Sequence, residues 1–501
     1  MEIPAESGRG DTHPTPHVLL VPFPLQGHLN PFMALANTLA ASGVSVTLVR
    51  TARAESLLSS AQGSSAPLDQ PQNAKMGHIR FVTVPDGMPT DPKQKLQFGT
   101  MMGAMQVIGN SVEELLEKLM KEEQPPCCLV SDNFFLWGHD VAVKFGLLWM
   151  MLWPGSASGF SIGVHLRELV TRGYFPAIGE EAQERIVDIV PGMTPFRVRD
   201  LPKPIKLIED PLENPKFQSM LSLYDTAKNA DRLLVNSVYE LESSVVEALR
   251  KEAGVKIVPI GPLFMMNTLS CATKLPTASL LQEDNSCLSW LDEQEESSVL
   301  YISFGSIASV EDHSFIELAH GLEASGLNFV WVIRPDSFSD KTSVQDLLPD
   351  GFMERTRDRG RIISWAPQLA LLGHQAVGGF LTHCGWNSIL ESLCNGVPML
   401  GFPLDAEQNT NLKFVVHDWK VGLPFLQPNV QAVERSHAEY AMRAIMRGDE
   451  SREIRKHALK WKEVTFNAVH GSSKSNLEKV VDDLRCGRLR ALGASVLEGK
   501  L

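Results

Sequence analysis

No Gly-x-Gly-x-x-Gly fingerprint follows the first strand-like run of this 501-residue chain, so a dinucleotide-binding loop is not supported. No Asp-x-Asp occurs anywhere, which removes that motif's grip on a divalent metal. The seven cysteines are odd in number and scattered, with no Cys-x-x-Cys and no Cys/His ligand spacing. One adjacent pair, Cys127-Cys128, lies inside an apolar run. Free, mostly buried thiols in a reducing compartment are the expectation. Positive charge is scarce too. Lys and Arg total 46 against 59 Asp and Glu, a net charge of -13 with no basic stripe, which argues against nucleic acid as a partner. The densest apolar stretch, Leu147 to Trp153, is far too short to span a bilayer. Met1 to Pro16 has no apolar core and reads as a disordered leader, not a signal peptide. A cytoplasmic chain without integral membrane association is expected. No segment repeats at a fixed period.

What remains is the composition of an ordinary globular protein, 44% hydrophobic and 21% charged, with length enough for two or three domains. His17 to Pro24 reads as a buried strand. Asn30 followed by Pro31 predicts an N-cap and a first helical position, with a helix to about Ala41. Val44 to Val49 is the next strand. This β-α-β opening predicts an α/β fold with a parallel, doubly wound sheet. His28 then sits in the loop past the carboxyl end of the first strand, where such sheets bind ligands. The strand Pro126 to Ser131 ends at Asp132. A carboxylate there can orient a neighbouring histidine, or cap the helix that follows through Trp137 to Phe145; the two readings are compatible. Leu147 to Trp153 is a further strand, followed by a helix from Ala157 to about Gly173. Residues 174–215 are Pro-rich and poorly periodic. From Leu263 to about Ser286 the pattern dissolves into a linker. A second α/β alternation starts at the strand Ser298 to Phe304, and Gly305-Ser306 behind it suits close backbone approach to a phosphate. Helical segments end near Leu484, and Arg485 to Leu501 reads as a loose tail.

The most specific stretch runs from Trp365 to Gln408. Val377 to Leu381 is a buried strand. It turns through His383-Cys384-Gly385 into a helix expected to start near Asn387-Ser388, with Ser388 and Glu391 at capping-box spacing. A strand turning through Gly into a helix N-terminus aims free N–H groups and partial positive charge at one point, which suits an anion such as phosphate. His383, Asn387 and Ser388 can donate hydrogen bonds there. Glu391, on the same helix face, offers a carboxylate to a pair of sugar hydroxyls. Trp365 and Trp386 offer flat surfaces for stacking.

Trp365, Ala366, Pro367, Gln368, His383, Cys384, Gly385, Trp386, Asn387, Ser388, Glu391, Gly396, Pro398, Pro403, Glu407 and Gln408 together closely resemble the plant secondary product glycosyltransferase box. That box is the nucleotide-sugar signature of plant family 1 UDP-glycosyltransferases. The resemblance implies the GT-B architecture, two Rossmann-like doubly wound parallel-sheet domains facing across a cleft. The expected division is an acceptor-binding domain at 17–262, a linker at 263–286, a UDP-sugar-binding domain at 287–470, and at 471–501 a helix crossing back to the first domain plus a tail. It implies His28 as catalytic base with Asp132 in support, Trp365 stacked on uracil, Glu391 on the ribose, and Glu407 and Gln408 on the sugar hydroxyls. Gly305, Ser306, Ala366, Gln368, Gly385 and the rest of the box complete the expected UDP-sugar site. Trp386 and the terminal Gln fit UDP-glucose as donor. Asp405 departs from the pattern, since many relatives carry an aromatic there; a change in sugar-side packing or donor choice is the corresponding expectation. Inverting transfer without metal or other cofactor follows by the same resemblance. Residues 80–105 and 155–220 are expected to line the pocket of a small lipophilic acceptor, a flavonoid or other phenolic, in a monomeric enzyme. A terpenoid, a hormone or a carboxylic acid are the other acceptors in view. A nucleotide-sugar binder without activity and a Rossmann-type oxidoreductase are the competing classes.

Overall fold

The computed structural model describes residues 15–498, apart from 62–74, 77, 92–93, 95–97, 207, 209, 267–278, 307–309, 335–345, 428–429 and 431. The expected leader falls almost wholly outside these residues, as does the middle of the expected linker.

Two large sheets organise the chain. The first holds β1 (His17–Val21), β2 (Ser45–Thr51), β3 (Lys75–Met76), β4 (Ile79–Val84), β5 (Cys128–Asp132) and β6 (Leu148–Trp153). After a small antiparallel pair, β7 (Ile186–Val187) and β8 (Phe196–Arg197), it is completed by β9 (Arg232–Val235) and β10 (Ile257–Pro259). Its order is β10-β9-β6-β5-β1-β2-β4-β3, parallel except for the edge strand β3. The second sheet holds β11 (Val299–Ser303), β12 (Asn328–Val332), β13 (Gly360–Ile363), β14 (Val377–Thr382), β15 (Met399–Gly401) and β16 (Gly422–Pro424). It is all parallel, in the order β13-β12-β11-β14-β15-β16.

Each order has one switch point, where the chain returns to build on the other side of its starting strand. In the first sheet it falls between β1 and β5, paired as far as Val21 and Ser131. In the second it falls between β11 and β14, paired to Ser303 and Thr382. Connections leave such a point in opposite directions and open a crevice at the strands' carboxyl ends. The topology therefore brings the segment after β1 beside that after β5, and the segment after β11 beside that after β14.

The central strands are largely apolar and buried because helices cover both faces. The fully buried β1 and β5 show this. Helix α1 (Gln26–Ala41) follows β1, and here the structure differs from the sequence reading. Its N-cap is Leu25, with Pro31 inside the helix, not Asn30 with Pro31 at the first position. A turn at Leu25, whose carbonyl accepts from His28 and Leu29 at 2.9 Å each, starts the helix early. His28 thus lies in a first helical turn rather than a loop. Helix α2 (Gly138–Phe145) follows β5, and α3 (Ala157–Val164) follows β6.

Just past Pro262, where the linker is expected, the chain still packs on the first sheet. Leu263–Met266 is helical, and Leu263 and Met266 join the first core. In the second domain, β14 leads into α4 (Trp386–Asn395), whose N-cap is Gly385 in an extended conformation. The last long helices of the chain are α5 (Asp449–His470) and α6 (Ser472–Glu498).

Helix α6 crosses back: Leu477, Val480, Val481 and Leu484 are buried in the first core among β1, β5 and β6. Arg232 pairs with Asp483, and Ser473 and Asn476 donate to the carbonyls of Gly261 and Pro259 at 2.6 and 2.9 Å. The expected loose tail from Arg485 is instead helical through Glu498. Across the cleft, Lys203 N–H donates to the Ala406 carbonyl at 3.0 Å and Thr410 Oγ1 to the Asp200 carbonyl at 2.6 Å. Among the described residues, no helix is long and apolar enough to cross a membrane.

Candidate active site

Both switch points open onto one cavity of about 790 Å³ between the sheets. His28 lines it, with every residue expected to hold the UDP-sugar; Asp132 is fully buried behind His28.

On the first-sheet wall, His28 Nδ1 lies 2.8 Å from Asp132 Oδ2, with the imidazole 17% exposed. The other carboxylate oxygen accepts the Phe134 N–H at 3.1 Å. The side chain that meets the histidine also holds the turn at Phe134, but it does not cap the helix that follows: the N-cap of α2 is Trp137, with no side-chain hydrogen bond there. Phe23 and Phe134 flank the imidazole, at 5.8 and 5.1 Å between ring centroids. A carboxylate that accepts from Nδ1–H leaves Nε2 as the basic nitrogen of the neutral ring.

On the second-sheet wall, Gly305 has a φ of +74°, and a Cβ there would stand 2.6 Å from His383 Cε1 and Nε2. Glycine is required both by the left-handed backbone and by the ring packed against it. Burial, and then the nearby Arg334 guanidinium, push the His383 imidazole down to about 4, against a backbone interaction with Ser303. The ring is therefore neutral near pH 7, and its Nδ1 is buried without a partner. Ser306 lines the cavity, and its carbonyl accepts from Arg334.

The expected capping box does not form. Gln368 Nε2 donates to Glu391 Oε2 at 2.6 Å and to Ser388 Oγ at 3.0 Å. Tyr301 donates to Gln368 Oε1 at 3.0 Å. With the helix starting at Trp386, Ser388 stands too far inside to cap it. Burial lifts the Glu391 carboxyl to about 7, despite the Gln368 hydrogen bond. Trp365 lines the cavity beside Ala366, its Nε1 donating to Ser279 Oγ at 3.0 Å.

Three expectations need correction. Trp386 is 4% exposed, packs near Trp419, and donates its Nε1 to the Asn236 carbonyl at 2.8 Å; its ring is a packing element, not a stacking surface. The side chain of Asn387 is engaged at both ends, Nδ2 with the Gly27 carbonyl and Oδ1 with Asn236. Asp405 is exposed and does not line the cavity, so it has no sugar-side packing to alter.

Glu407 lines the cavity, its carboxyl raised by burial and lowered in part by Asn411 and His28. Gln408 Oε1 accepts the N–H groups of Leu404 and Asp405 at 2.8 and 2.9 Å, which leaves its amide N–H₂ for a ligand.

The apolar wall of the cavity also differs from what the sequence suggests for an acceptor pocket. From 80–105 and 155–220, only Gly155 lines the cavity among the described residues; Phe134, Trp153 and Pro154 form that wall. The apolar residues of the expected ranges fill cores of their own. Val84 and Ala104 enter the first domain's core, and Ile162, Leu166, Val198 and Phe217 form a separate cluster. Sequence reasoning missed Tyr301, Asn236, Ser279 and Glu283, all of which line the cavity. Asn236 follows β9 as Asp132 ends β5, and a polar residue at a strand's carboxyl end was the signal that could have found it. Among the described residues, no group of three or more His, Cys, Asp or Glu is placed to hold a metal ion, and the six cysteines are free.

Two doubly wound sheets with a shared cavity at their switch points define the GT-B class. A solved anthocyanidin 3-O-glucosyltransferase in complex with UDP superposes with a TM-score of 0.77 at 25% identity, covering 94% of this chain and 99% of that one. Residues 31–455 match the family described as UDP-glucoronosyl and UDP-glucosyl transferase. UDP-glycosyltransferase 86A1 of Arabidopsis thaliana is 33% identical over 478 residues, 94% of each chain. A 7-deoxyloganetin glucosyltransferase of Catharanthus roseus is 33% identical over 486 residues, 94% of this chain and 96% of its own. The chain belongs to the plant family 1 UDP-glycosyltransferases and is an enzyme of that class.

Proposed function

We propose that the protein transfers glucose from UDP-glucose to a hydroxyl of a small lipophilic acceptor, a flavonoid or other phenolic, with inversion and without a metal. The observation that carries this reading is the His28–Asp132 pair at 2.8 Å, on the same cavity as the N-terminus of α4. His28 Nε2 takes the proton of the acceptor hydroxyl, and Asp132 stabilises the imidazolium. The oxygen attacks the anomeric carbon from the face opposite the diphosphate. The bond from that carbon to the β-phosphate oxygen breaks, and UDP leaves with the electron pair. Charge growing on the diphosphate meets the α4 N-terminus, Gly305, Ser306 and a neutral His383 able to donate one N–H. Trp365 stacks on uracil, Glu391 holds the ribose, and Glu407 with the Gln408 amide binds sugar hydroxyls.

The wall of Phe134, Trp153 and Pro154 favours a flat apolar acceptor. Relatives named for anthocyanidin and 7-deoxyloganetin glucosylation support a hydroxyl acceptor and leave terpenoids, hormones and carboxylic acids as alternatives. The proposed working form is a cytoplasmic monomer. The test is an acceptor screen with UDP-glucose and EDTA throughout, scoring UDP release and product mass. A gain of one hexose on a phenol supports class, donor and metal independence together. UDP-glucose binding without turnover on any acceptor counts against the reading.

A further inference from the structure

Gly27 and Pro31 stand four apart in α1, the spacing at which a helical carbonyl accepts an N–H from the next turn. Pro31 has no N–H to give, and a proline ring crowds the carbonyl four residues back. The Gly27 carbonyl is thus denied its helical partner at the mouth of the cleft. Its partner comes from the other domain. Asn387 Nδ2, in the first turn of α4, donates to it at 2.9 Å across 360 positions of sequence.

Asn387 is itself held. Its Oδ1 accepts from Asn236 Nδ2 at 3.3 Å. Asn236, 3% exposed, accepts the Leu263 N–H on its side chain at 3.0 Å and the Trp386 indole N–H on its carbonyl at 2.8 Å. The first turn of α4 is therefore clamped to the end of β9, and through Gly27 to the turn that carries His28.

We propose that Pro31 is a positioning residue for the transfer reaction: it exports the Gly27 carbonyl to Asn387 and so fixes the turn bearing His28 against the N-terminus of α4. The inference rests on the reading of His28 as base and of that N-terminus as the diphosphate end of the site. A proline inside a helix weakens the helix. Here the same residue supplies a cross-domain tie between the group that takes the proton and the group that receives the leaving charge. Displacements of about 1 Å between such groups lower rates by about 10²-fold, so the tie acts on turnover more than on donor affinity.

The test is Pro31→Ala, which restores an N–H for the Gly27 carbonyl inside the helix. The melting temperature is expected to hold or rise, UDP affinity to stay within about twofold, and kcat to fall about tenfold or more. A proline needed only for folding gives the opposite pattern, lower stability with kcat per folded molecule unchanged, and that result overturns the proposal. Adding Asn387→Ala is expected to cost less kcat in the Pro31→Ala background than in the wild type; effects that simply multiply also overturn it. Hydrogen exchange gives a readout free of turnover. Pro31→Ala is expected to slow exchange in residues 26–32 and speed it in 384–390, and unchanged exchange in both segments sinks the tie. A wild type that transfers no hexose in the acceptor screen sinks the functional reading instead, and the exchange result stands apart from it.

Discussion

His28 Nδ1 meets Asp132 Oδ2 at 2.8 Å, although 104 residues separate the two in sequence. His28→Ala is expected to lower kcat by about 10²–10⁴-fold, the range for losing a general base, with UDP affinity nearly unchanged. Asp132→Asn keeps an oxygen for the Phe134 N–H, so the turn survives while the support of the imidazolium is lost. Its kcat is expected to fall about 10²-fold or more with little change in melting temperature. Stopped-time assays of UDP release, paired with calorimetric titration of UDP, check both variants. Full turnover in His28→Ala removes the histidine from the mechanism.

Glu391 gives a pH dependence with a definite sign. Its carboxyl stands at about 7 in the folded protein because burial disfavours the charge. Between the ordinary carboxylate value and about 7, the folded state holds a proton that the unfolded state has released. Stability therefore declines as pH rises through that window. Ribose hydroxyls donate better to the ionised form, so UDP affinity is expected to move the other way and strengthen as the carboxyl ionises. The UDP phosphate titrates at about 6 in any variant, and the difference between wild type and Glu391→Gln isolates the carboxyl. Parallel profiles for the two proteins refute the assignment.

Gly305→Ala combines a left-handed backbone with a collision against His383. A loss of about 1–3 kcal/mol in stability is expected, along with weaker UDP binding as the His383 ring is pushed aside. Denaturant titration and UDP titration of the one variant measure both. Unaltered affinity means that the His383 ring does not face the diphosphate.

Asp405→Phe places an aromatic at the box position where this chain departs from the resembled pattern. Because Asp405 is exposed and off the cavity, the preference among UDP-glucose, UDP-galactose and UDP-xylose is expected to change by less than about threefold, well under the ~1.4 kcal/mol of a tenfold change. Competition assays with mixed donors read it directly. A switch of donor locates a sugar contact that the structure lacks.

How much of this was legible in the sequence varies with the physics involved. The strands at His17, Pro126, Ser298 and Val377 were readable because parallel strands buried on both faces are continuous apolar runs. The box from Trp365 to Gln408 was readable as a whole and gave the cavity's second wall. Helix starts were less legible. Asn30-Pro31 has the composition of an N-cap, yet a turn at Leu25 opens the helix earlier. Ser388 and Glu391 have capping-box spacing, yet Gln368 holds both. Such outcomes depend on partners distant in sequence, which local chemistry does not name. The apolar residues of 155–220 read as a pocket lining, but apolarity alone does not distinguish a ligand's wall from a core, and Leu166 and Phe217 serve a core.

The return of α6 has a consequence for how the chain is made. Leu477, Val480, Val481 and Leu484 complete a core whose strands β1 and β5 lie more than three hundred residues earlier. At about 5–20 residues per second, a ribosome that has just released β10 needs roughly ten seconds to a minute before those four side chains emerge. Throughout that interval the nascent first domain carries an open apolar seam, while the second domain folds behind it. A chain halted short of Leu477 would leave that seam open for good, so premature termination near the 3′ end of the message should yield an aggregating product rather than a slightly shortened enzyme.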